Sequence, residues 1–113
     1  MTNVLFKKRN DRIISYTASG HTEYSEEGYD IICSAISAMS YTTLNGLIDV
    51  LHMELIQNQD FFIEEETGYL SINLENRSVE DIEKSQVLLE TLLLGFKSMK
   101  SYEKYINVIV EEV

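Results

Sequence analysis

The chain has 113 residues, of which 44% are hydrophobic and 25% charged, a size and composition typical of one folded domain and not of a disordered chain. Its formal charge of −10 argues against direct nucleic-acid binding, because contacts to phosphates require a basic face. We expect no membrane partner, since no apolar run approaches the roughly 20 residues that a bilayer requires.

The first predicted unit is a β-hairpin with a basic tip. Residues 4–8 and 13–18 have the composition of strands, and the turn between them contains Asn10 and Asp11. Four basic residues surround this turn: Lys7, Lys8, Arg9 and Arg12. Charge and turn residues together predict an exposed hairpin tip.

Residues 20–30 are predicted to form an acidic loop bounded by Gly20 and Gly28. Glycine permits backbone angles that other residues avoid, so glycines at both ends of a loop suit a mobile lid. The loop residues predicted to move are Thr22, Glu23, Glu26, Glu27 and Gly28.

Residues 31–57 are predicted to form the central helix. Apolar residues recur there at steps of three and four, and Asp30 fits as the N-cap that accepts a backbone hydrogen bond. One face of this helix is apolar. A polar stripe runs beside it: Asp30, Cys33, Ser34, Ser37 and Tyr41.

The rest of the chain predicts a second hairpin, a second helix and a last strand. The hairpin pairs residues 60–65 with 69–74, and Ser78 caps a helix whose buried face uses Ile82, Leu89, Leu92, Leu93 and Phe96. In residues 105–110, apolar residues recur at every second position, which predicts a strand. The order ββαββαβ predicts an α+β fold over residues 1–113, a single small domain with two helices on a mostly antiparallel sheet.

Cys33 is the single cysteine, so it forms no intramolecular disulfide and no multi-thiol metal site. With no recognisable export signal, one unpaired cysteine indicates a reducing, cytoplasmic environment. If Asp30 is the N-cap, Cys33 is the third helical residue, where the positive end of the helix dipole stabilises a thiolate and free N–H groups can hold an oxyanion.

His21 can act as the general base or ion-pair partner of Cys33, because a loop can fold back onto the start of the following helix. The alternative is a small packed thiol and a solvated loop histidine, and the residues alone leave both open. Asp30 is a cap or orients His21, and Ser37 packs or positions the thiol. His52 is predicted to be a structural residue late in the helix.

Glu64, Glu65 and Glu66 resemble a metal cluster only superficially, because consecutive strand residues point to opposite faces. We interpret them as a solvated turn, and we expect neither a metal site nor a cofactor.

One segment resembles the ribosomal-processing cysteine protease family Prp. The residues that carry the resemblance are Ser19-Gly20-His21, a short acidic loop, and then Gly28-Tyr29-Asp30-Ile31-Ile32-Cys33-Ser34-Ala35-Ile36-Ser37. Length and element order agree with that family along nearly the whole chain. Two departures, Thr22 and Ser34 where alanine is common, leave Cys33 and His21 untouched.

The resemblance implies a cytoplasmic homodimer that removes the short N-terminal extension of large-subunit ribosomal protein twenty-seven, a step needed for ribosome assembly. Cleavage would follow a paired-aromatic segment. The same comparison implies that Cys33 is the nucleophile, His21 its general acid/base, and Asp30, Ser37 and Gly20 supporting residues. It also implies that the loop from Thr22 to Tyr29 moves when substrate binds, and its acidic residues could steer a basic substrate.

Two other functions fit the residues less well. A non-enzymatic module could bind a basic ribosomal protein through its acidic face, with Cys33 inert. A redox or acyl-transfer enzyme could use the same thiol, although the chain holds no resolving cysteine.

Overall fold

The computed structural model describes residues 2–20, 27–99 and 104–113, with backbone only for residues 27–30. The strands are β1 (Thr2–Arg9), β2 (Arg12–Ser19), β3 (Phe61–Glu64), β4 (Tyr69–Asn73) and β5 (Ile106–Glu112). The helices are α1 (Glu27–Asn45), which continues as a π-helical turn (Gly46–Val50), and α2 (Val79–Lys97). The predicted α+β order ββαββαβ is confirmed.

The strands form one sheet in the order β3-β4-β2-β1-β5. Three neighbouring pairs are antiparallel, and β5 joins β1 in parallel, with Thr2 opposite Ile106. In the first hairpin, Asn10 and Asp11 both have positive φ, 51° and 63°. Asn and Asp tolerate this conformation better than most residues, and two such residues in succession make the tight turn that the strand twist favours. The predicted basic tip is therefore a two-residue β-turn.

A β-bulge interrupts β2. Lys7 lies opposite Ser15 and Lys8 opposite Ile13, so Ile14 is the extra residue. The Gln86 side chain of α2 pairs with the backbone of buried Ile13, accepting from its N–H and donating to its carbonyl, each at 2.8 Å. This contact gives both backbone groups of buried Ile13 a hydrogen-bond partner, and it attaches α2 to the sheet.

Both helices cover the same face of the sheet. Tyr16 of β2 is fully buried and contacts both of them, since its hydroxyl lies 2.6 Å from Ser40 Oγ of α1 and its ring stacks on Phe96 of α2 at 6.0 Å. Phe6 of β1 completes this cluster, with its ring 4.9 Å from that of Tyr16. The predicted buried face of α2 and its Ser78 cap are confirmed, because Asp81 N–H donates to Ser78 Oγ at 3.1 Å.

The predicted bounds of the first helix are wrong at both ends. It begins at Glu27, so Asp30 lies inside the first turn and is not the N-cap. It ends by Val50, because His52 adopts a left-handed conformation (φ 56°) and Met53 N–H donates to Leu47 O at 3.0 Å. The apolar pattern continued to residue 57 because the chain after the helix also packs on the core, with Met53 buried.

The expectation that no run reaches membrane-spanning length also needs correction. Residues Ile31–Val50 are long and apolar enough by length and composition alone. A core helix of a folded domain passes the same test, and this one buries Ile32, Ile36, Leu44 and Leu47 against the sheet and α2.

Candidate active site

Cys33 is a free, half-buried cysteine in the second turn of α1. Because α1 begins at Glu27, Cys33 is the seventh helical residue and not the third, as the sequence predicted. The helix dipole acts mainly within the first turn, and the N–H groups without an intrahelical acceptor belong to the first four helical residues. The helix end therefore supports the thiol less than predicted, and neighbouring side chains matter more.

Among the residues that the structure describes, Thr2 of β1 makes a polar side-chain contact with the thiol. Its Oγ1 lies 3.9 Å from Cys33 Sγ and 3.3 Å from Gly20 O, to which the hydroxyl donates. Thr2 is only 5% exposed. No local sequence signal could have found this contact, because Thr2 and Cys33 are 31 positions apart and meet only through the packing of α1 on the sheet.

Gly20 directly follows β2 and adopts φ 106°, a conformation that L-residues rarely take. This backbone angle is a physical reason for the supporting role that the sequence predicts for Gly20, because a side chain there would strain the chain. His21, Thr22, Glu23 and Glu26 lie outside the described residues. The loop prediction is wrong for residues 27–30, since the backbone of Glu27, Gly28 and Asp30 is helical.

A cleft begins one turn beyond Cys33 and runs along α1 toward the acidic hairpin. Its volume is about 240 Å³, and exposed Ser37, four residues after Cys33, lies on its wall. Its remaining lining is mostly apolar or aromatic and includes Ile36, Tyr41, Ile63, Tyr69 and Leu70. This volume lies below the roughly 300–1,000 Å³ of small-molecule pockets, so it suits one or two peptide side chains.

Two tyrosines connect the cleft to the core. Burial raises the pKa of Tyr16 well above its ordinary value, and its hydroxyl donates to Ser40, which in turn donates to Ile36 O at 2.7 Å. At the cleft, desolvation and then the charge and hydrogen bond of Glu65 raise the pKa of Tyr41. At neutral pH both hydroxyls therefore stay protonated, and the Tyr41–Glu65 pair gives the apolar cleft an acidic end.

The other predicted candidates lie away from the thiol. His52 is exposed and follows the far end of α1. Glu64, Glu65 and Glu66 are exposed at the second hairpin turn, as predicted for a solvated turn. Among residues 2–20, 27–99 and 104–113, no group of three or more His, Cys, Asp or Glu side chains is arranged to hold a metal ion.

Comparison with known proteins confirms the resemblance found in the sequence. The family model described as cysteine protease Prp matches residues 1–107. A curated Bacillus subtilis protein, named ribosomal processing cysteine protease Prp, is 24% identical over 102 residues, which are 88% of each chain.

The fold is shared with solved structures. A Streptococcus mutans protein superposes with a TM-score of 0.86 at 25% identity, covering 100% of this chain and 96% of the other. The Staphylococcus aureus ribosomal processing protease Prp, solved with a substrate peptide, has a TM-score of 0.79 at 18% identity, with 98% and 100% covered. The same protein with a covalently linked product peptide has a TM-score of 0.73 at 20% identity, with the same coverage.

Proposed function

The chain belongs to the cysteine protease Prp family, and from that membership we propose that it removes the short N-terminal extension of large-subunit ribosomal protein twenty-seven. Its curated Bacillus subtilis relative is a ribosomal processing protease, and its Staphylococcus aureus relative binds a substrate peptide. Membership of a protease family leaves no support for the non-enzymatic alternative.

The observation that carries the proposal is that Cys33 is the one cysteine of the chain and lies half-buried on α1, one turn before the cleft that starts at Ile36 and Ser37. A cysteine protease needs a thiolate nucleophile. Cys33 is therefore the nucleophile, and the cleft that starts one turn further along α1 receives the peptide.

His21 is the general acid/base of the proposed reaction. The chain has two histidines, and the other, His52, follows the far end of α1. At about 1.5 Å per residue, the helix from Cys33 to Val50 spans roughly 25 Å, which removes His52 from the reaction. The carbonyl of Gly20, the residue before His21, and the thiol of Cys33 both contact the Thr2 hydroxyl.

The reaction proceeds in two steps. His21 takes the proton of Cys33, the thiolate attacks the scissile carbonyl, and His21 then protonates the leaving amine. Water hydrolyses the resulting thioester. In this proposal Asp30 orients His21 and Ser37 lines the substrate path.

Substrate recognition uses the cleft and the charge of the chain. Apolar and aromatic walls suit the paired aromatic residues before the cleavage site, and the net charge of −10 attracts the basic N-terminus of a ribosomal protein. The predicted movement of residues 22–26 on substrate binding, a homodimeric assembly and a cytoplasmic location are further parts of the proposal.

The test is cleavage of a precursor peptide that spans the extension of ribosomal protein twenty-seven, followed by mass spectrometry. We compare the wild type with Cys33→Ala and His21→Ala, and use His52→Ala as the matched control. Both site variants should lose at least about 100-fold in kcat/KM, the lower range for a positioned acid or base, and His52→Ala should match the wild type.

Two results would count against the proposal, each against a different part. Undiminished cleavage by Cys33→Ala rejects Cys33 as the nucleophile. If the wild type leaves the precursor intact but cleaves other peptides through Cys33, the proposed substrate is wrong while the assigned nucleophile stands.

A further inference from the structure

We propose that the Thr2 hydroxyl is a positioning group that orients the Cys33 thiol and stabilises its thiolate. The inference rests on the proposed role of Cys33 as nucleophile, and it assigns part of the thiolate's support to β1. Cys33 is the seventh helical residue, so it lies too far from the start of α1 for the helix end to supply all of the thiolate's stabilisation.

Thr2 is held rigidly where it meets the thiol. Its backbone N–H donates to Tyr105 O at 2.9 Å, and in the parallel pairing of β1 with β5 it lies opposite Ile106. With 5% of its surface exposed, Thr2 has little freedom to turn away from Cys33. A β-branched side chain also has few χ1 rotamers, so the position of Oγ1 is well determined.

The hydrogen-bond directions differ between the two protonation states of the cysteine. A carbonyl oxygen only accepts, so in the neutral state the Thr2 hydroxyl donates to Gly20 O at 3.3 Å. The Cys33 S–H can then donate to Thr2 Oγ1 across 3.9 Å, which fixes the orientation of the thiol.

After the proton leaves for His21, the sulfur carries a negative charge and only accepts hydrogen bonds. The Thr2 hydroxyl can then rotate about its C–O bond and donate to the thiolate, without any proton leaving Thr2. Hydrogen bonds to charged groups are the stronger ones, so this rotation favours the thiolate over the thiol. Thr2 and Gly20 thereby link the ionisation of Cys33 to the backbone that precedes His21.

The test measures the rate of Cys33 alkylation by iodoacetamide against pH, alongside kcat/KM for the precursor peptide, in the full chain. Thr2→Val keeps the shape and removes the hydroxyl, whereas Thr2→Ser keeps the hydroxyl. Thr43→Val is the matched control, because Thr43 donates to Met39 O at 2.8 Å on another face of α1.

Thr2→Val should move the alkylation profile about one pH unit toward alkaline pH and lower kcat/KM about tenfold, the equivalent of one moderate hydrogen bond to a charged sulfur. Thr2→Ser should restore most of both, and Thr43→Val should change neither. An unshifted alkylation profile in folded Thr2→Val overturns the proposal, whatever the peptide assay shows.

A measurement on the wild type keeps the proposal testable if Thr2→Val does not fold. The Thr2 methyl resonance, followed by NMR, should titrate with the same midpoint as Cys33 alkylation and stay constant in Cys33→Ala. A methyl resonance that does not titrate in the wild type overturns the proposal. Cleavage that persists in Cys33→Ala rejects Cys33 as the nucleophile of the proposed function. The alkylation profile tests the Thr2 contact separately, because it does not depend on substrate.

Discussion

The Tyr16→Phe substitution should destabilise the protein near neutral pH and make it more stable than the wild type at alkaline pH. Tyr16 is fully buried, and its hydroxyl donates to Ser40, the residue that ties α1 to the sheet beside the cleft. At pH 8, Tyr16→Phe should lower the free energy of unfolding by about 1 kcal/mol, the usual net value of one hydrogen bond.

At higher pH the wild type should lose this advantage. Burial raises the pKa of Tyr16 in the folded state, whereas in the unfolded chain the tyrosine ionises near pH 10. Above that pH the unfolded state has released a proton that the folded state retains, so stability falls as pH rises. By pH 11.5 the loss amounts to about 2 kcal/mol, and Tyr16→Phe does not incur it.

The two unfolding free energies should therefore cross near pH 10.7, as estimated from a hydrogen bond of about 1 kcal/mol. Urea unfolding followed by circular dichroism between pH 8 and 11.5, with a reductant present, measures both proteins. Tyr69→Phe, which changes a partly exposed tyrosine, is the control and should run parallel to the wild type. A difference between wild type and Tyr16→Phe that stays constant with pH would refute the reasoning.

Two further predictions concern the sheet and the site. Gln86→Met should lower the free energy of unfolding by about 2–4 kcal/mol in urea titrations, because the buried N–H and carbonyl of Ile13 each lose a partner; exposed Gln57→Met is the control, and a loss below about 0.5 kcal/mol would contradict the account. Gly20→Ala should lower kcat/KM about tenfold or more, since φ 106° strains any residue with a Cβ and displaces the chain leading to His21. An unchanged kcat/KM in Gly20→Ala would show that this backbone angle is not needed for activity.

Elements with strong local signals were predicted correctly from the sequence. The Asn10-Asp11 turn and the Ser78 cap follow from neighbouring residues, and the buried face of α2 follows from apolar residues that recur at helical spacing. The sequence motif around Cys33 also led to the correct family, because it is a continuous string of residues.

The bounds of α1 were not predictable in the same way. Asp30 is a good capping residue and Gly28 a poor helix former, so local preference placed the start four residues late. At the other end, apolar residues after Val50 continued the helical pattern although they pack on the core from a turn. At the C-terminal end packing overrode the local pattern, since Met53 is buried. At the other end, the start at Glu27 moved Cys33 from the first helical turn into the second.

The amino-acid sequence by itself determined which residues can carry the chemistry: one cysteine, two histidines, and a motif that joins Cys33 to His21. Only the tertiary structure decided what surrounds them. The parallel pairing of β5 with β1 holds Thr2 in place, and the packing of α1 on the sheet brings Thr2, Gly20 and Cys33 together. These contacts join positions 18 to 104 residues apart, and such distant contacts leave no periodicity or spacing in the sequence, because they depend on how complete elements pack.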